Sequence, residues 1–461
     1  MTTTAGQPRP GEDEEPAGNA VAPGTAEVAP ALATDAPRPH EARNFWILVT
    51  YQIVMRTGWI FKTESSVMPA AADALDPTGF ARGWLPLLNR FGQSVPPVLA
   101  ARRIKNLRKK QRAFIATTTS MTAIFLAMTS LWLIPGLVEW RPYSALIYLL
   151  LYGLFFWAIG VNALAYNTIQ GKLIRPQRRG RLLMYADTIG ATSAVVCALA
   201  LLTQWLNDDR AEYELIFGFS TALFFAASIA SWLLKEEPDD HFEPRQGMRY
   251  VFAAAWAILR DDANFRRLAI VAALFSTSLV LFPHYQALAR EELNLGTSYL
   301  VWWVVAQNIG TACFSMLTGP IADRLGNRKA LLVVTLLIIA APLAAIGLVY
   351  YPALGKNWFA VVFLLIGLTP VAQKTFNNYT LEISESANHP RYLSTLSLCM
   401  AAPIYASPLI GGLINMVGFE PVYLLVTLLL LAGFALSFGL NEPRLGSRPP
   451  VEAVDTGSIT E

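Results

Sequence analysis

GPIADRLGNRKALL, residues 319–332, is the stretch whose reading decides the fold. An apolar run stops at a glycine, an acid follows four residues later, Arg324, Arg328 and Lys329 come next, and a second apolar run begins. A helix ending at Gly319 lets a second backbone approach closely, and Gly326 permits a tight reversal, because glycine adds no side chain. Asp323 then stands at a helix end, where a carboxylate is attracted to the positive N-terminus of a neighbouring helix. The three cations supply partners for that acid. Such a turn can hold two helix ends together in one conformation and release them in another; a plain basic loop is the bland alternative.

Outward from this turn the 461-residue chain is 54% hydrophobic and only 15% charged, against about a quarter charged in soluble domains. Its charges cluster, leaving apolar stretches long enough to cross the roughly 30 Å bilayer core as helices. The chain therefore reads as an all-α polytopic membrane protein. Twelve spans are expected, near 44–64, 80–101, 113–134, 144–170, 182–206 and 213–234, then 267–289, 298–322, 330–351, 358–381, 392–416 and 421–440. The organisation is a disordered tail (1–42), a six-helix bundle (43–234), a linker (235–266), a second six-helix bundle (267–440) and a second disordered tail (441–461). Within the linker Phe252, Ala255, Trp256 and Leu259 fall at helical spacing. They predict an amphipathic helix, lying on the membrane surface or capping the bundle beneath it.

Cations orient the spans. The second-to-third connection, RRIKNLRKKQR, has seven cations and no acid, and KLIRPQRRGR between spans four and five has five and none. The alternate connections carry one each: Arg82, Arg141, Arg210, Arg290 and Lys356. Cations near helix ends stay in the cytoplasm, so both termini are expected there, with the protein in the cytoplasmic (inner) membrane. The three cysteines, Cys197, Cys313 and Cys399, fall inside apolar runs and read as small buried hydrophobes.

G-x-x-x-D-R-x-G-x-R-K between spans eight and nine resembles the loop motif of the major facilitator superfamily, and the twelve-span topology extends the resemblance over residues 43–440. One departure is Asn327, where family members often have another Arg. A larger one lies in the first half: aligning Gly92 with Gly310 puts Ala101 in the place of Gly319 and Lys105 in that of Asp323, with Leu99 matching Leu317 and Leu107 matching Leu325. A second correspondence joins GVNALAYNTIQGKLI of span four to GLTPVAQKTFNNYTL of span ten at Gly160/Gly367, Ala165/Ala372 and Thr168/Thr375, with Arg181 and Arg391 opening the next spans. The resemblance implies two six-span repeats with a substrate site near the midplane between them. It also implies a lock carried by one half, formed by Gly319, Asp323, Arg324, Gly326, Arg328 and Lys329 together with Glu382. Asp323 is expected to dock near Arg179–Arg181 at the start of span five, and Glu382 to lie near Arg324 or Arg328.

Ionisable groups inside spans are costly and point to function. Arg56 and Arg90 fall at similar depth in spans one and two, so an anionic substrate, or a carboxylate such as Asp187 or Glu64, should sit with them. Glu64 and Asp187 are the candidate proton carriers, and Lys62 is expected to snorkel outward. By resemblance spans one, four, seven and ten line the cavity, which makes Asn162, Asn167, Gln373, Lys374 and Asn377 substrate-binding candidates. Gln307, Asn308, Asn89, Gln93 and His284 are weaker ones, His284 reading best as a structural residue.

No nucleotide-binding loop, nucleophile motif or metal-spaced His/Cys set is present, so the chain does not read as an enzyme and no cofactor, metal or nucleic-acid partner is expected. The leading expectation is a monomeric secondary carrier, moving a small solute, by preference an anionic or zwitterionic one, across the bilayer by alternating access, with protons as possible coupling ions. An efflux carrier for amphipathic drugs, a non-transporting sensor of the same fold and a lipid flippase remain as alternatives.

Overall fold

The computed structural model describes residues 38–134, 136–140, 143–207, 211–238, 248–385 and 388–442. Most of both expected tails (1–37 and 443–461) and part of the linker lie outside these residues. The first half comprises α1 (Glu41–Ile60), α2 (Val67–Leu75), α3 (Phe80–Lys105), α4 (Gln111–Leu133), α5 (Tyr143–Leu173), α6 (Pro176–Cys197), α7 (Thr203–Trp205) and α8 (Tyr213–Trp232). A π-turn, Ala198–Leu202, joins α6 to α7 as one rod. The linker helix α9 (Met248–Asp261) follows. The second half comprises α10 (Ala263–Val280), α11 (Phe282–Glu292), α12 (Tyr299–Leu325), α13 (Asn327–Leu337), α14 (Ala340–Tyr350), α15 (Pro352–Trp358), α16 (Ala360–Ile366), α17 (Thr369–Ile383), α18 (His389–Ala401), α19 (Ser407–Val417) and α20 (Phe419–Ser437).

Among the described residues 10 helical rods are long and apolar enough to cross a membrane. The helices α1 and α3, also expected as spans, pack against these rods but are not among the ten. Their mean hydropathy is lowered by Gln52 and Arg56, and by Asn89, Arg90 and Gln93, all of which line a cavity. Several second-half rods are broken, and the breaks follow proline, which lacks an N–H and clashes with the preceding turn. The α10–α11 break precedes Pro283, the α13–α14 break precedes Pro342, the α16–α17 break precedes Pro370, and the 3-10 segment between α18 and α19 contains Pro403. Pro283, Pro370 and Ile404 of these breaks line the cavity, the place where irregular backbone is tolerated at membrane depth.

The two halves repeat each other physically where their sequences match. A Cβ added at Gly92 would lie 2.5 Å from the carbonyl carbon of Phe156, and one at Gly160 would lie 2.2 Å from the Gly92 oxygen, so α3 and α5 cross backbone to backbone. In the second half a Cβ on Gly310 would lie 2.0 Å from the Leu364 oxygen and one on Gly367 2.3 Å from the Gln307 oxygen. The aligned glycines are the crossing points of spans two and four and of spans eight and ten. Without a hydrophobic drive in lipid, such close contact is a main source of helix association. Aromatic packing fills in around it: Phe125 lies 4.5 Å from Phe155 by ring centroids, and Trp303 stacks on Phe363 at 4.8 Å.

The face at which α1 begins and α20 ends is termed the basic face, after Arg43, Arg175, Arg178, Arg324, Lys329 and Arg391; the opposite one is the far face. Helix α2, on the far face, has no counterpart among the expected spans. It is almost entirely buried, and the Tyr148 hydroxyl donates to its Met68 carbonyl at 2.9 Å. Helix α9 carries the apolar positions of the linker; of these Ala255 is buried while Phe252 and Trp256 are exposed.

Candidate functional site

Between the halves lies a cavity of about 1080 Å³, at the upper end of the roughly 300–1,000 Å³ that small-molecule sites enclose. Spans one, four, seven and ten line it, but so do α3, α6 and α12, which bring Arg90, Asp187 and Gln307. Its walls toward the basic face are exposed at Asn167, Leu183, Asp187 and Lys374. Toward the far face it is closed.

The seal on the far face joins the halves through buried polar contacts. Arg82 on α3 is 4% exposed; it donates to Asp73 of α2 at 2.9 Å and to Glu291 of α11 at 3.3 Å. Gln286 of α11 donates to the same Asp73 oxygen at 2.6 Å. Burial raises the Asp73 carboxyl above its ordinary value, Arg82, Gln286 and Arg290 offsetting part of the effect. Gly83 of α3 packs against the Gly411 backbone of α19, the Leu87 amide donates to the Ser407 hydroxyl at 3.1 Å, and Asn415 donates to the Thr78 carbonyl at 2.6 Å. The Ser65 hydroxyl donates to Gln307. His284 is fully buried here and neither ring nitrogen has a hydrogen-bond partner. In sequence Arg82 and Arg290 registered only as sparse far-side cations; nothing marked Asp73 as their partner.

Of the cavity charges, Arg56 pairs with Asp187, one of the two carboxylates anticipated for it. Lys62 does not snorkel. It is 0% exposed, its ammonium lies 3.1 Å from the Trp59 ring centroid and 4.7 Å from that of Phe156, and it donates to Glu64 at 3.0 Å. Three aromatic rings and a carboxylate beside it replace the water that snorkelling would have sought. The other Glu64 oxygen accepts from Asn89, whose own oxygen accepts from Gln93. Arg90 has no carboxylate partner among the described residues: it donates to the Ser397 carbonyl at 3.3 Å, and its Nε is buried without a partner there. Lys374 lines the cavity from the second half, exposed and without a carboxylate partner among the described residues.

The amide candidates divide. Asn162 lines the cavity but is saturated by protein: Tyr51 donates to it at 2.7 Å, and it donates to Thr117 at 3.0 Å and Thr118 at 2.9 Å. It ties α1, α4 and α5 together. Asn167, Gln373, Gln307 and Asn308 line the cavity; Asn377 is not among the lining residues. Gln373 donates to the Met400 sulfur at 3.4 Å.

At the basic face α12 runs past Gly319 to Leu325, and nothing lies within 4 Å of a Cβ added at Gly319, so among the described residues no backbone approaches it. Gly326 makes the reversal with φ +94°, a conformation that favours glycine. Asp323, Arg324 and Lys329 are exposed. Glu382 accepts from Asn327 at 2.7 Å, and Arg328 donates to the Phe438 carbonyl at 2.8 Å. Asn327, the departure from the family pattern, is thus a partner of Glu382, the acid expected beside the motif. Arg179 donates to the Gly171 carbonyl at 2.7 Å and the Ile174 carbonyl at 3.0 Å.

A family model described as Major Facilitator Superfamily matches residues 278–460. No curated protein sequence matches the chain. Among solved structures the fold is similar to a variant of the nucleoside transporter NupG (TM-score 0.65, 11% identity, covering 87% of this chain and 100% of that one). It is also similar to a bacterial homologue of the human lysosomal transporter Spinster in an inward-facing, unoccupied conformation (TM-score 0.61, 13% identity, 90% and 99% covered). The E. coli fucose:proton symporter FucP shares it as well (TM-score 0.54, 14% identity, 88% and 100% covered). At these identities the likeness is one of fold. The model of that superfamily thus matches the second half of the chain in sequence, and both halves are similar in architecture to these solved transporters.

Proposed function

We propose that the chain is a secondary carrier that moves a small anionic solute by alternating access, and that its basic face is cytoplasmic. Arg90 carries the reading. It is a largely buried guanidinium beside the cavity, held by one long bond to a backbone carbonyl, with no acid among the described residues to neutralise it. A buried cation without a counter-ion is unfavourable, and an anionic ligand relieves that cost. Lys374 faces the same space from the other half, so one anion could be held between two bodies that move relative to one another. Arg56, paired with Asp187, is a weaker anchor than its depth in span one suggested.

In this reading the molecule is open to the cytoplasm and sealed outside. Asp323 engages the start of α6 when the basic face closes, Glu64 and Asp187 are the carboxylates through which protons would couple, and the carrier works as a monomer in the inner membrane. Anion binding tests the proposal. In calorimetry of the purified protein against small carboxylates, phosphate and sulfate esters, Arg90→Gln should weaken the best ligand by about 2 kcal/mol, roughly thirtyfold, while Arg56→Gln should change it less. Strong binding of a neutral sugar that ignores Arg90→Gln would end the anion reading.

A further inference from the structure

Among the described residues two carboxylates line the cavity; both are neutralised from within the protein, and they are neutralised differently. Asp187 is paired to Arg56, and both are exposed in the cavity wall. Glu64 also lines the cavity, but its partner Lys62 does not; that ammonium is wholly buried behind it, against the faces of Trp59, Phe156 and Phe155. Aromatic faces beside a carboxylate are the constellation that recognises a ligand's quaternary ammonium or similar organic cation. Here the place is filled by a side chain of the same chain. Burying an ammonium carries a desolvation penalty that its pairing only offsets, and an apolar side chain of similar length would fill the volume without it. Packing therefore does not account for a lysine at this position.

We infer that Lys62 is a specificity-determining residue: it occupies the cation site formed by Glu64 and Trp59 and so makes the cavity refuse lipophilic organic cations. Trp59, Glu64 and Asn89 all face the cavity, so a cationic ligand arriving from that side would meet the same carboxylate that Lys62 reaches from behind. With Lys62 in place Glu64 presents no net negative charge, and the charges left over are those of Arg90 and Lys374. Without it the cavity would contain an acid beside an aromatic face. The inference rests on the proposal that this cavity receives the solute, and it extends that proposal from what is bound to what is kept out.

The test is calorimetry on the full-length purified protein with tetraphenylphosphonium as probe cation and benzoate as probe anion. Lys62→Met should bind the cation at least about tenfold more tightly than the native protein, the Lys62→Met/Glu64→Gln pair should return to native affinity, and Lys62→Arg should stay native-like. No gain in Lys62→Met, or a gain that survives in the double variant, overturns the inference. Should Lys62→Met not purify as a single species, Glu64→Gln alone decides: it leaves a cation unbalanced, so cation binding should not rise and benzoate should bind more tightly, and a rise in cation binding overturns the inference. Failure of the anion reading would show elsewhere, as native benzoate binding that is absent or indifferent to Arg90→Gln.

Discussion

Replacing Arg82 with Met should open the far face. Arg82 and Asp73 belong to the first half, Glu291 and Gln286 to the second, so the Arg82–Glu291 and Gln286–Asp73 contacts exist only while the halves meet there, and the Arg82–Asp73 pair is buried only then. Removing one partner of a buried ion pair costs about 3–5 kcal/mol. The low end applies, because the Glu291 side chain is 54% exposed and Asp73 keeps its bond from Gln286. Once the halves part, water reaches the same groups, and the pair is then worth at most about 1 kcal/mol. The sealed state thus loses about 2 kcal/mol more than the open one, which shifts the equilibrium toward far-side opening by roughly thirtyfold. Methionine retains the length and apolar stem of arginine, so packing is largely kept. The assay is labelling of a cysteine at position 407, buried in the seal beside Leu87, by a membrane-impermeant maleimide in a background lacking Cys197, Cys313 and Cys399. When opening is rare and reclosing fast, the rate follows the open population, so it should rise about thirtyfold. A rise under about threefold, with an unchanged melting curve, would show that the ion contacts do not hold the seal.

Acid should favour the sealed state. The Asp73 carboxyl is raised by burial in the seal, so that state holds a proton to higher pH than the open one; the stabilisation is complete below the ordinary carboxylate pKa and lost as pH rises through the raised value. In the same labelling assay Asp73→Asn should remove the pH dependence. Gly310→Ala, whose Cβ would sit 2.0 Å from the Leu364 oxygen, should cost about 1–3 kcal/mol or more and lower the melting midpoint clearly, whereas Gly171→Ala, with nothing nearer than 3.9 Å, should leave it nearly unchanged. Asp323→Ala should abolish or slow solute exchange in proteoliposomes without altering the melt; exchange at the native rate would remove the one-sided lock.

What the sequence made legible were features with local signatures. Span lengths follow from apolar runs, the reversal at Gly326 from a glycine among charges, and the repeat from glycines that turned out to be helix crossings. Where the residues' partners lie far away in sequence, the reading stopped. Lys62 was read by depth alone, and depth predicts snorkelling; Trp59 and Glu64 are local, but the two rings that complete its cage, Phe155 and Phe156, come from α5, about 95 residues on. Asn162 was recognised as an intramembrane polar group, but whether it serves a solute or its neighbours depends on Thr117, Thr118 and Tyr51, which sequence cannot bring together. Helix α2 was invisible because nine residues, VMPAAADAL, apolar but for Asp73, are too short to register as a span.

The missing acid of the first-half loop also has a structural counterpart. At the start of α4 the amides of Lys110 and Gln111 donate to the two oxygens of Glu236 at 3.0 and 2.6 Å, and Lys172 donates to the same carboxylate at 2.8 Å. Glu236 lies just beyond α8, so the acid that neutralises this helix N-terminus comes from within the first half and binds its loops to one another. The second half instead carries Asp323, exposed at the end of α12. On the proposal made here, closing the basic face engages this acid, whereas the far face is held by the Arg82 cluster, the Gly83–Gly411 contact and the bonds of Ser65, Leu87 and Asn415. Two seals that cannot close together compete, and the one with more contacts wins at rest. A chain that keeps its lock in one half alone should therefore rest open on its basic face until a bound solute, bridging Arg90 and Lys374, draws the halves together there.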